Sequence, residues 1–122
     1  MLRAISLGCL IAVGASAAAV AQLAEGDRVE FEAATTAFTG CLRASVQMGM
    51  TTKMDPAKFK EGFAKSYMEQ EARFRRVAVK VAMASGRSET AAAAEIDGNI
   101  ANGRRAFAAD QESYIKTGKV PR

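Results

Sequence analysis

Residues 55–118 read DPAKFKEGFAKSYMEQEARFRRVAVKVAMASGRSETAAAAEIDGNIANGRRAFAADQESYIKTG. In the second half of this stretch the large or central positions fall at Ala93, Ile96, Ile100, Gly103, Phe107, Asp110 and Tyr114, in alternating steps of three and four. In the first half Phe59, Phe63, Tyr67, Gln70, Phe74, Val77 and Val81 do the same. Each series marks one face of a helix with 3.6 residues per turn. Between them, Gly86 suits a left-handed helix end and Ser88 suits an N-cap. The stretch therefore predicts two long helices folded back on each other at Ser85-Gly86-Arg87-Ser88.

A connection this short makes the helices antiparallel neighbours. Folding about Gly86 sets Phe59 opposite Tyr114, Phe63 opposite Asp110, Tyr67 opposite Phe107, Gln70 opposite Gly103 and Phe74 opposite Ile100. Val77 and Val81 then face Ile96 and Ala93. Asp97-Gly98-Asn99 and Asn102-Gly103 have low helix propensity. The apolar period passes through both without a change of phase, so the helix is expected to be continuous.

Upstream, Asp27 and Glu30 have capping-box spacing. Phe31, Ala34 or Thr35, Phe38, Cys41 or Leu42, and Ser45 then hold one face to about Met48, and Gly49 is expected to stop the helix. Asp55-Pro56 restarts the chain, with an acceptor at the N-cap and proline at the first helical position, where its missing amide leaves nothing unsatisfied. Folding here sets Ser45 by Phe59, Cys41 or Leu42 by Phe63, Phe38 by Tyr67, Thr35 by Gln70 and Phe31 by Phe74. The expected architecture is all-α, an antiparallel three-helix bundle over residues 22–122 with helices at about 27–48, 56–85 and 89–117.

The first residues differ in kind. Met1 to Arg3 carry one positive charge, Ala4 to Val13 are mostly apolar, and Ala19-Val20-Ala21 has the small-x-small pattern of a cleavage site. Residues 1–21 are therefore expected to be a signal peptide, cleaved to leave no membrane anchor and a periplasmic or secreted protein. The apolar part is short, is broken by Gly8, Gly14 and Ser16, and lacks a basic stop-transfer flank. Losing Arg3 with it takes the formal charge from +4 to +3. Arg73, Arg75, Arg76 and Lys80 crowd one stretch, although acidic residues are interleaved nearby. For an exported chain this points to a protein partner or an acidic envelope surface and away from nucleic acid.

The residue types narrow the chemistry. The chain has no histidine, which removes the usual general base and the commonest metal ligand. Cleavage takes Cys9 and leaves Cys41, so neither an internal disulfide nor a thiolate zinc site can form. Cys41 is read as a small hydrophobe on the helix face, with an exposed, reactive thiol as the alternative. No glycine-rich loop follows a strand to cradle phosphate. No catalytic residue and no cofactor is called for, and the expectation is that the protein is not an enzyme.

Two polar groups interrupt the seams. Asp110 sits where an apolar residue is expected, and it either meets Lys60, Lys65, Arg105 or a hydroxyl of Tyr67 or Tyr114, or holds a cationic ligand in a cleft. Gln70, Thr35 and Gly103 are expected to form a hydrogen-bonded polar layer that fixes register. Met48, Met50 and Met54 offer a soft-metal alternative, because thioethers select Cu(I). Met50, Met54, Met68 and Ile115 are expected to line an apolar groove for a partner helix.

The leader and the alanine-rich, tryptophan-free composition resemble those of small secreted proteins of Gram-negative bacteria. The functional expectation is a small exported, non-catalytic interaction or accessory module of the bacterial cell envelope. The alternatives are a periplasmic carrier of a small ligand or soft metal in the bundle interior, and a thiol-dependent redox protein acting through Cys41.

Overall fold

A computed structural model describes residues 23–122, so the leader expected over 1–21 lies outside the described residues. All regular structure among those residues is helical: α1 (Glu25–Thr51), α2 (Pro56–Ala64), α3 (Met68–Ala84) and α4 (Glu89–Thr117). No helix among them is long and apolar enough to cross a membrane.

The directions and register follow the seams. Phe31 stacks near Phe74 with ring centroids 6.5 Å apart, Arg73 pairs with Glu30 at 2.7 Å, and Lys80 reaches Asp27 at 3.8 Å. These contacts run α1 and α3 antiparallel in the expected step. Arg75 pairs with Asp97, Arg104 with Glu71 and Lys60 with Glu112, which sets α3 and α2 antiparallel to α4. The core between α1, α3 and α4 is built from Phe38, Leu42, Phe74, Val81 and Ile96, all essentially without solvent exposure. Alanines 34, 78, 82, 92 and 108 are buried among them and let the helix axes approach.

Three expectations about the helices need correction. The first concerns the second helix, expected over 56–85, which is two helices. It stops at Ala64, and Tyr67 takes a left-handed conformation (φ 58°, ψ 39°) before α3 begins. The break is held from outside its own sequence. Arg104 on α4 donates to the carbonyls of Phe63 and Ser66, each at 2.7 Å, while its Nε donates to Glu71 at 2.8 Å. The Phe63 carbonyl also accepts from the Ser66 amide and hydroxyl, and the Ser66 carbonyl lies in the connection between the two helices.

The second correction is at Gly49, which lies inside α1 and does not end it. A Cβ there would come 2.6 Å from the Phe59 ring, so the glycine is where α2 touches the α1 backbone. The helix closes at Thr52 with Lys53 left-handed (φ 51°). Met54 donates back to Gly49 at 3.0 Å and Lys53 to Met50 at 3.1 Å, the Schellman pattern. The third correction is at the other end of α1. Its N-cap is Ala24, without a side-chain cap, and Asp27 lies within the first turn. The other caps form as read: the Asp55 side chain accepts from Lys58, Ser88 accepts from Ala91, and Gly86 is left-handed (φ 99°). Helix α4 runs unbroken through both low-propensity clusters.

Candidate functional site

Two grooves flank α4, and the chemistry of each follows from the helices that form its walls. The larger is a trough of about 650 Å³ between α2, the start of α3 and the outer side of α4. Phe63, Ile100, Ala101, Ala108 and Ala109 contribute its apolar surface. The trough exists because the chain breaks at Tyr67: α2 swings onto α4 instead of continuing the line of α3. Arg104, at the junction, is sheltered with its side chain 12% exposed, and its guanidinium lies 5.4 Å from the Phe38 ring and 5.5 Å from the Phe63 ring. Three acceptors and two aromatic faces engage it, so it acts as a structural pin.

Ion pairs edge this trough. Arg75 forks onto Asp97 at 2.6 and 3.1 Å, and Lys60 lies 3.8 Å from Glu112. The Arg75 bond holds the Asp97 carboxyl below its ordinary pKa. Arg105 also lines the trough, and its contact is the neutral side chain of Asn102. Among the described residues Arg105 is therefore a rim charge without an ion-pair partner, and it is positive.

The second groove, of about 430 Å³, lies between α1 and α4 and is bordered by the C-terminal Val120 and Pro121. Asp110 and Arg43 both line it, with Met50, Phe107 and Tyr114. Burial raises the Asp110 pKa above its ordinary value. Of the cations expected to meet Asp110, Lys60 goes to Glu112 and Arg105 to Asn102, and Lys65 makes no ion pair with it.

The buried polar residue of α4 is the next one along. Gln111 is fully buried and donates to the carbonyls of Met54 (2.8 Å) and Gly49 (3.3 Å), tying α4 to the α1–α2 connection. Held in that direction, its Oε1 accepts from no group among the described residues. Sequence reasoning placed Asp110 in this layer. Beyond Phe107 the neighbour of α4 includes the tilted α2, and the buried stripe turns to Ala108 and Gln111. The signal present in the sequence was a glutamine able to donate to the carbonyls of a helix end.

The remaining expected sites separate. The Thr35 hydroxyl donates to Phe31 of its own helix at 2.7 Å and not to Gln70, so the polar layer does not form as expected. Gly103 is buried, while Gln70 and Tyr67 are half-buried. Met50, Met54, Met68 and Ile115 do not line one groove. Met50 belongs to the Asp110 groove, Met54 and Tyr67 to a smaller one of about 280 Å³ between α1 and α2, and Met68 is 53% exposed. This also splits Met50 from Met48 and Met54 as soft-metal ligands. Cys41 is free and half-buried beside buried Leu42. Among the described residues no three His, Cys, Asp or Glu side chains gather as metal ligands.

No family model, curated protein or solved structure matches the chain.

Proposed function

We propose that the mature chain is a small, exported, non-catalytic helical module of the bacterial cell envelope. In this reading it binds an acidic amphipathic helix of a partner protein in the trough along α4. The observation that carries it is the combination of an apolar surface and an unneutralised positive rim. The lining residues of α4 run from Asp97 to Glu112, which at 1.5 Å per residue is a bed of about 22 Å, long enough for four turns of a second helix. Ala101, Ala108 and Ala109 allow its backbone to come close, and Arg105 selects acidic side chains on its flank. Of the basic cluster Arg73, Arg75, Arg76 and Lys80, three are engaged, with Glu30, Asp97 and Asp27, which leaves exposed Arg76 as its one charge without an ion pair among the described residues.

The test places a photo-crosslinking residue at Ala101 in the trough, or at exposed Ala33 on α1 as a control, in chain exported by a Gram-negative host. A discrete protein adduct from Ala101 alone, lost in the Arg105→Glu variant and competed by an acidic amphipathic peptide, supports the reading. Equal adducts from both positions, or adducts indifferent to Arg105→Glu, refute it. The same preparation checks export: mass spectrometry is expected to show a chain beginning at Gln22.

A further inference from the structure

A carboxylate partly withdrawn from water ordinarily recruits a cation or several donors, because its charged form is otherwise disfavoured. Among the described residues Asp110 has neither an ion pair nor a hydrogen bond, and burial disfavours its charged form. Arg43 on α1 lines the same groove, is exposed, and among the described residues also has no side-chain ion pair or hydrogen bond. The two opposite charges thus share one groove without coming within 4.0 Å of each other. The rest of the lining is mixed, apolar and aromatic at Val46, Met50, Phe107, Tyr114 and Val120 and polar at Gln47 and Thr51.

That arrangement discriminates between ligand chemistries. A simple organic cation satisfies Asp110 but meets the like charge of Arg43. A simple anion has the reverse difficulty. A molecule carrying both charges on an apolar body satisfies all three parts of the groove, with its ammonium also able to approach the ring faces. We propose that the α1–α4 groove binds a small zwitterion with an apolar body, its ammonium on Asp110 and its anionic group on Arg43. This site is on a different face of α4 from the trough and does not depend on the trough having a partner.

The experiment titrates the full exported chain, followed by amide NMR, with phenylalanine, with phenylalaninamide, which keeps only the cation, and with N-acetylphenylalanine, which keeps only the anion. Phenylalanine is expected to give saturable shifts around Arg43 and Asp110. Each single-charge analogue, and each of the variants Asp110→Asn and Arg43→Gln, is expected to bind at least about tenfold more weakly. Arg28→Gln, at the far end of α1 from the groove, is expected to bind as wild type. Absence of saturable shifts up to about 10 mM phenylalanine overturns the proposal. So does equal binding of phenylalaninamide, or wild-type affinity in Asp110→Asn. Thermal melts of the ligand-free variants give an independent check. If Asp110→Asn and Arg43→Gln lower Tm non-additively, the two groups pair with each other in solution and the proposal fails.

Discussion

Lys53 holds a left-handed backbone (φ 51°) at the position after the α1 C-cap, where glycine is the usual occupant because a Cβ is crowded there. Lys53→Gly is therefore expected to raise stability by about 0.5 to 1 kcal/mol in urea unfolding, with the Schellman bonds retained. Gly49 predicts the opposite result. Gly49→Ala pushes a methyl into the Phe59 ring and toward Gln111, and is expected to cost about 1 to 3 kcal/mol by the same measurement. These two positions show what single residues concealed. Glycine at 49 reads as a stop, but here it is a contact point whose partner lies ten positions on. The lysine at 53 carries no sign of the conformation that the turn imposes on it.

Among the helices, α2 stands apart: its principal packing partner is α4. Its attachment combines Phe59 and Phe63 with the Arg104 bonds at its C-terminal end. Arg104→Ala strips these carbonyls of a donor and leaves Glu71 unpartnered in a sheltered place, for an expected loss of about 3 kcal/mol. Hydrogen exchange is expected to report the loss first at residues 56–64. Arg104→Lys is expected to restore little, because one ammonium cannot reach three acceptors and also lie over two rings. The continuity of α4 through Asp97-Gly98-Asn99 was legible, since the apolar period kept its phase there. The break before α3 was not. Lys65-Ser66-Tyr67 contains neither glycine nor proline, and the residue that secures the interruption is 37 positions beyond Tyr67.

For the molecule as a whole, acid titrates two opposing contributions. Hydrogen bonds from Arg73 and Arg75 hold Glu30 and Asp97 below their ordinary pKa values. Their stabilisation is present above the ordinary carboxylate range and disappears as pH falls through their lowered folded values. Asp110 has the opposite sign. Burial raises its folded pKa, so protonating it favours the native state as pH falls from that raised value toward the ordinary one. Asp110→Asn is accordingly expected to be neutral or stabilising at pH 7 and to lose stability more steeply than wild type on acidification, as read from Tm against pH. The helix directions and the step of α1 and α4 against α3 were legible because large apolar residues keep step in all three segments. The candidate grooves were not, because both depend on how α2 and the C-terminal tail lie beside α4. The interruption at Tyr67 also divides the chain's tolerance of altered length. An extra residue placed beside Tyr67 can be taken up in a bend that is already irregular. The same insertion near Val77 would rotate the following face by about 100° and carry Val81 out of the interior.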